Sequence, residues 1–234
     1  KVAHALHLPM HAVRVETRRM GGGFGGKESQ GNALAIACAV VAAATGRPAK
    51  MRYDRDDDFM ITGKRHDFRI EYRVGFDDQG VISGVEFEQY TRCGWAQDLS
   101  LPVADRAMLH ADNAYWIPEI RITSHRLKTN MQSATAFRGF GGPQGMIGME
   151  RIMDHIAHDL GMDPVELRRV NDTLTDPVGG LPCTSRSLMR CFAAAAAAFG
   201  WAARSPEPGS MTDGDWRVGW GCAAAFYPTY AGAS

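Results

Sequence analysis

No two cysteines in the 234-residue sequence stand in a C-x-x-C spacing, and the five present (Cys38, Cys93, Cys183, Cys191 and Cys222) are scattered and odd in number. That excludes a disulfide framework and a zinc knuckle and fits a reducing, cytoplasmic compartment. Net charge is also missing. Lys+Arg and Asp+Glu are each 26, so no bulk field draws the chain to nucleic acid or to an anionic membrane. Long apolar runs are absent as well. The best, "ALAIACAVVAAATG", is alanine-rich and falls short of the roughly 20 residues that cross a bilayer, and "KVAHALHLPMHAVRVE" has no continuous apolar region to act as a signal peptide. The first residue is Lys rather than Met and opens in the middle of an amphipathic helical pattern, so the expectation is an internal piece of a longer protein.

Composition is otherwise ordinary: 45% hydrophobic and 22% charged residues describe a globular chain able to form one large or two small domains. What stands out is glycine. In "RRMGGGFGGKE", Arg18 to Glu28, five of six consecutive positions are glycine around a lone Phe24, and "TAFRGFGGPQG" repeats the F-G-G core at Phe140. Glycine at this density raises the entropic cost of ordering the backbone and gives a core nothing to pack. Both stretches must therefore need bare main chain.

Periodicity places the loops. After a short opening helix broken at Pro9, "AVRVET" alternates as a strand up to the first glycine loop, and the small apolar residues from Asn32 to Thr45 predict a buried helix stopped at Gly46. "KMRYDR" reads as a strand, and "RDDD" (Arg55 to Asp58) as a solvated or salt-bridged loop rather than a magnesium site. "DFRIEYRVGF", with Phe68, Ile70, Tyr72 and Val74 on one face, turns at "DDQG" and pairs with "VISGVEFEQYTR" as a hairpin. A short helix is expected from Asp105 to Ala111 and a strand at "EIRITSHRLK". The second glycine stretch leads into an amphipathic helix with Met146, Met149, Ile152, Met153, Ile156 and Leu160 as its apolar stripe. Asp163-Pro164-Val165-Glu166 is a capped helix start. "DTLTDPVGGLPCTS" is the best boundary, "SLMRCFAAAAAAFG" a helix closed by Gly200, "SPEPGSMTDGD" a flexible loop, and "WRVGWGCAAAFYPTYAGAS" the start of a new strand. The fold class that follows is α+β, with mixed sheets and packed helices.

Two kinds of ligand suit glycine loops that follow strands and open helices. Phosphate is one, but Gly26-Lys27-Glu28 lacks the hydroxyl residue that a Walker loop places after its lysine. A forced G-x-G-x-x-G over Gly21, Gly23 and Gly26 is followed by "AVVAAATG", with no acidic partner for a ribose. A planar or oxyanionic cofactor is the other: main-chain amides approach closely, Phe24 and Phe140 lie against the plane, and Arg138 supplies several donors. The bland alternative makes each loop a tight connection and Phe140 a core residue. His66 and His110, beside aromatic or apolar neighbours, read as structural.

The two glycine strings, with "DRDDDFMITGKRHDF", "CGWAQDLSLPVADRAMLH", "NAYWIPEIRI" and "KTN", resemble the molybdopterin-binding subunit or domain of the molybdenum hydroxylases, in particular the xanthine dehydrogenase/oxidase group. The resemblance runs in matching order from residue 1 to about Asn171 and resumes at "WRVGWG" to "PTYAGAS". It implies that residues 1–172 form part of a first molybdopterin-binding domain holding both Gly-Phe loops, 173–214 a linker and helix, and 215–234 the truncated start of a second such domain. It further implies that Phe24 and Gly25 lie by the molybdenum centre and that Arg138 contacts the cofactor region. Phe24 and Arg138 would reach the metal only through main chain or intervening groups, because the pterin and not the protein ligates it. Glu28, Arg106 and Phe140 would hold substrate. Phe140 would stack on a purine, Arg106 would meet a carbonyl oxygen and Glu28 the ring nitrogens, the last two gripping harder as negative charge builds on the ring. Without the surrounding motifs, Glu28 and Arg106 would read as surface charges.

The implied activity is hydroxylation of hypoxanthine to xanthine and of xanthine to urate, with electrons leaving through [2Fe-2S] clusters and FAD to NAD. Those centres would sit on partner domains or on an iron–sulfur/FAD subunit, in a dimer of heteromers. Glu28 and Arg106 favour this over an aldehyde oxidase-like hydroxylase, whose members carry different residues there; a non-catalytic module gripping a planar ligand is the remaining alternative. No catalytic base is assigned within the sequence. The family's general-base glutamate would fall beyond Ser234 and its glutamine loop before Lys1, so the piece alone is expected to be inactive. Tyr230 stands where the vertebrate enzymes usually have lysine.

Overall fold

A computed structural model describes residues 1–175 and 179–227. The architecture is α+β. Helices α1 (Val2–Ala5), α2 (Gly31–Thr45) and α3 (Arg55–Ile61) come first, then strands β1 (Phe68–Phe76) and β2 (Ile82–Gly94), helix α4 (Ser100–Leu109) and strand β3 (Glu119–Lys128). Helices α5 (Gly142–Leu160), α6 (Pro164–Val170) and α7 (Leu188–Phe199) follow, and the short strands β4 (Thr212–Asp213) and β5 (Trp216–Arg217) close the order. The chain divides into two compact units. The first comprises Lys1–Arg69, Tyr90–Ala104 and His125–Gly141; the second comprises Ile70–Gln89, Asp105–Ser124 and the chain from Gly142 onward.

The main sheet has the order β1-β2-β3. The expected hairpin forms: Asp77 Oδ1 accepts the N–H groups of Gln79 at 3.0 Å and Val81 at 2.9 Å, an aspartate turn that reverses the chain between β1 and β2. Strands β2 and β3 run the same way, since Glu86 pairs with Arg121 at 3.3 Å and Tyr90 stacks on His125 at the same offset. A parallel pair needs a long crossover, and the segment containing α4 supplies it.

The second unit holds the hydrophobic core. Ile70, Tyr72, Val74 and Phe76 of β1 join Ile82, Val85 and Phe87 of β2 against Met149, Ile152, Met153 and Ile156, the stripe read for α5. Helix and sheet meet closely at Gly148, where a Cβ would lie 3.0 Å from Ile70 Cδ1. Arg168 of α6, fully buried, holds this layer through charge-assisted bonds to Glu150 Oε2 (2.7 Å from Nη2) and Asp154 Oδ1 (2.9 Å). Tyr115 donates its hydroxyl to Glu150 Oε1 at 2.5 Å. Asp163 caps α6 as expected, accepting from Val165 N–H at 2.8 Å and Glu166 N–H at 3.3 Å.

Several expectations are corrected. "AVRVET" forms no strand: Val15 is 72% exposed, and no strand pairs with the segment among the described residues, so alternation there has no ladder to join. Helix α2 forms and stops at left-handed Gly46, φ 64°, yet none of its residues is buried; α1 packs on it, and its apolar side chains run round the whole helix. The strand expected at "KMRYDR" does not form, since the segment ahead of Arg55 has no regular structure and Met51 is 48% exposed, and the loop expected from Arg55 to Asp58 is the first turn of α3. Asp54 Oδ1 accepts from Asp57 N–H at 2.9 Å, and three aspartates in the first turn complement the helix dipole. Arg55 and Asp58 pair along that helix at 3.7 Å. Helix α4 begins at Ser100, ahead of the expected Asp105, and ends at Leu109. The expected flexible loop before Trp216 closes in a β4–β5 hairpin, Thr212 opposite Arg217, and the strand predicted from Trp216 onward ends at Arg217. "PTYAGAS", with Tyr230, and residues 176–178 of the linker lie outside the described residues.

Candidate functional site

In the first unit the two glycine loops meet. Gly25, φ +92°, lies so close to the second loop that a Cβ would come within 2.5 Å of Ala136 O and 2.7 Å of Phe137 Cα. Only glycine allows that approach. Across the junction the Arg138 guanidinium stands over the Phe24 ring, Cζ to centroid 5.7 Å. Phe24 (φ 48°) and Phe140 (φ 53°) both adopt the left-handed conformation, and the glycines that follow, Gly25 and Gly141, have φ 92° and 101°. Bulky side chains rarely occupy this region, and such strain gathers at ligand sites.

Polar contacts tie each loop to its surroundings. Lys27 Nζ donates to Gly22 O and closes the first loop on itself. Beyond it, Ser29 Oγ donates to Asp98 Oδ2 at 3.0 Å, and Gln30 Oε1 accepts the Gly63 N–H at 2.7 Å. The second loop is buried at Ala134, Thr135 and Ala136, whose backbone is held by Ala134 N–H to Cys93 O (2.9 Å) and Thr135 N–H to Lys64 O (2.9 Å). Arg65, which pattern reading missed, donates Nη2 to Arg138 O at 2.8 Å and lies over the Phe137 ring at 4.5 Å. Burial lowers its pKa, and its Nη1 is buried with no hydrogen-bond partner among the described residues. The one signal in the sequence was the preceding glycine: a Cβ on Gly63 would strike Ser133 O at 2.7 Å, marking a segment laid against the second loop.

Of the residues expected to form the site, Phe24, Gly25 and Arg138 are brought together at the loop junction. Phe140 lies on the same second loop, half-buried, its N–H donating to Phe137 O at 2.8 Å. Glu28 is exposed at the end of the first loop, and among the described residues no hydrogen bond or ion pair engages its carboxylate. Arg106 belongs to the second unit, half-buried on α4. There Nη1 faces His110 Nε2 at 3.5 Å, and the guanidinium lies over the Tyr227 ring at 5.5 Å. His110 stacks on Tyr227 with centroids 5.1 Å apart and planes 11° from parallel. His66 keeps the structural role read for it, buried with Nε2 2.8 Å from Ser100 Oγ.

The residues at the loop junction offer hydrogen-bond donors, aromatic faces and bare backbone. Among the described residues no group of three or more His, Cys, Asp or Glu could hold a metal ion, and all five cysteines are free thiols. That donor set fits a planar, oxyanionic group carrying its own metal ligands. The cradle at Gly25 and the buried, unpartnered Arg65 Nη1 fit it too. No helix is long and apolar enough to cross a membrane among the described residues.

Residues 1–172 match the family described as molybdopterin cofactor-binding domain. Xanthine dehydrogenase of Drosophila subobscura is 46% identical over 170 residues, 73% of this chain and 13% of its own length. Xanthine dehydrogenase 1 of Arabidopsis thaliana is 48% identical over 73% of this chain and 12% of its own. The solved structure of the aldehyde oxidoreductase from Desulfovibrio desulfuricans superposes with TM-score 0.70 at 31% identity, covering 78% of this chain and 20% of that one. The chain thus spans about one eighth of the curated relatives it matches.

Proposed function

Because this chain belongs to the molybdopterin cofactor-binding domain family, we propose that it is part of a molybdenum-dependent hydroxylase acting on purines, hypoxanthine to xanthine and xanthine to urate. The observation that carries the reading is the junction of the two loops, Gly25 against Ala136–Phe137 with Arg138 over Phe24. The likeness to xanthine dehydrogenases at 46–48% identity supports the substrate class. Molybdenum-molybdopterin, when bound, supplies oxygen-atom transfer to an electron-poor ring carbon and takes up the electrons released.

This chain's own residues bind, orient and polarise. Phe24 and the Gly25 main chain line the cofactor's approach, and Arg138, its carbonyl held by Arg65, donates to oxyanionic groups of the cofactor. Phe140 stacks on the purine. Arg106 donates to a purine carbonyl oxygen, and the Glu28 carboxylate, free of protein partners among the described residues, accepts from ring N–H groups. Both contacts strengthen as negative charge develops on the ring, which lowers the barrier rather than merely tightening binding. The general base lies outside this chain, as do the [2Fe-2S] and FAD centres, on partner domains or an iron–sulfur/FAD subunit in a dimer of heteromers. The free thiols support a reducing, cytoplasmic setting.

The test uses the full-length parent protein. Molybdenum close to one per chain and electron release on adding xanthine are expected, with Glu28→Ala lowering xanthine kcat/KM about 10²-fold, the size of one lost charge-assisted contact in the transition state. Unchanged xanthine turnover in that variant, or a native protein free of molybdenum, defeats the proposal. Turnover of aldehydes in place of purines would assign the aldehyde oxidase-like activity instead.

A further inference from the structure

We infer that His110, Tyr227 and Asn113 are positioning residues that pre-set the Arg106 guanidinium for purines bearing a ring carbonyl. The inference rests on the substrate role proposed above for Arg106.

A guanidinium only donates hydrogen bonds. With Arg106 Nη1 3.5 Å from His110 Nε2, that ring nitrogen is the acceptor and Nδ1 carries the proton. The ring's other hydrogen bond runs to the Phe226 backbone. Burial first, and the Arg106 charge second, hold the His110 pKa below the usual imidazole range, so the ring stays neutral and able to accept. Tyr227 closes the other side. Its ring stacks on His110 and also faces the guanidinium, and it lies against the first turn of α5, where a Cβ on Gly142 would come 2.8 Å from Cε2.

Asn113 holds the backbone just ahead of Tyr227. Its Oδ1 accepts the Phe226 N–H at 2.8 Å, while Nδ2 donates to Ala224 O at 3.0 Å and to Glu150 Oε1 at 2.8 Å. Asn113 is 1% exposed and holds φ 53°, a conformation asparagine tolerates better than most residues. Glu150 is itself anchored by buried Arg168. A continuous set of bonds therefore runs from the core to the segment carrying Tyr227, and from that ring and His110 to Arg106. A long flexible side chain held this way loses less freedom on meeting its ligand.

The parent enzyme tests this with two ligands: hypoxanthine, which has a ring carbonyl oxygen, and unsubstituted purine, which has none. His110→Phe keeps the stacked ring and removes the acceptor; Tyr227→Leu removes the stacked face at a residue 45% exposed. Both should raise the equilibrium Kd and lower kcat/KM for hypoxanthine about tenfold, as for one weakened charge-assisted hydrogen bond, and leave purine within about twofold. Arg106→Met, run in parallel, should abolish the preference for hypoxanthine. If His110→Phe and Tyr227→Leu weaken both ligands alike, or neither, while Arg106→Met is selective, the positioning role is wrong. A non-selective Arg106→Met would overturn the proposed role of Arg106 and this inference with it.

Discussion

Gly25→Ala is the sharpest perturbation of the loop junction. An alanine Cβ there would sit 2.5 Å from Ala136 O and 2.7 Å from Phe137 Cα, both backbone atoms of a segment pinned to Cys93 and Lys64, so no side chain can swing aside. The loops must separate instead. The φ of +92° adds about 1–3 kcal/mol of backbone strain for an L-residue, and forcing a methyl into a closed contact adds about 1–3 kcal/mol more. The combined cost, about 2–6 kcal/mol, corresponds to a loss of roughly 30-fold or more in any equilibrium that requires the loops closed.

Gly23→Ala is the matched control. It alters the same loop by the same methyl, but the added Cβ meets nothing within 4 Å and the residue has no positive φ, so its cost should stay within about 0.5 kcal/mol. Molybdenum and pterin content per chain of the purified parent protein, after dialysis, is the assay, with the thermal midpoint recorded alongside. Gly25→Ala should lose most of its cofactor and Gly23→Ala should keep it. Equal retention by the two variants would refute the claim that close contact of the loops builds the cofactor site.

Two further outcomes follow from the buried polar groups. His66, 2% exposed, has its pKa lowered to about 4, by burial first and by Arg92 next, against the opposing pull of Asp98 and Asp67. Its unfolded value lies near 6.5, so the unfolded chain binds the extra proton. The stabilisation is fully present above pH 6.5 and drains away as pH falls toward 4, up to about 3 kcal/mol; denaturation curves of wild type and His66→Gln at pH 7 and pH 4.5 should converge at the lower pH, and parallel curves would exclude this. Arg168→Met leaves the largely buried Glu150 carboxylate without its main partner and should cost about 3–5 kcal/mol by denaturant unfolding, whereas a change under 1 kcal/mol would show that the network adds little.

How much of this was legible in the sequence depended on where the determining partner lies. The Asp77–Gly80 hairpin, the α5 stripe and the Asp163 cap are set by residues within a few positions of one another, and each appeared as read. Helix α3 was legible in principle, because Asp54, three places before Asp57, and a run of aspartates announce an N-terminus; the strand-like alternation of "KMRYDR" runs into that same cap. "AVRVET" failed for the opposite reason, since a strand needs a partner that no local pattern can supply. Helix α2 shows the same limit: its apolar circumference is plain in the sequence, but what covers it is not a local property. Among site residues, Phe24 and Phe140 were marked by their glycines. Arg65 was hidden among ordinary arginines, and Tyr227 and Asn113 reach Arg106 only through packing that sets distant segments side by side.

The glycine density now has a physical cause beyond permissiveness. Glycine is the usual occupant of left-handed backbone, yet at the centre of each loop that conformation is held by phenylalanine, at φ 48° and 53°, and each such residue costs on the order of 1–3 kcal/mol. A tight connection alone would be served better by glycine throughout. The strain is tolerable because the flanking glycines take up the adjoining turns and let the two backbones touch at Gly25. What the phenylalanines return is a ring fixed relative to a backbone that cannot relax away from it. A loop built this way can present an aromatic face and main-chain groups to a flat ligand at close range, which a flexible glycine loop cannot do. The same reasoning ranks the substitutions: Phe24→Gly should make the isolated loop less strained and the cofactor less well held, so stability and cofactor retention should move in opposite directions.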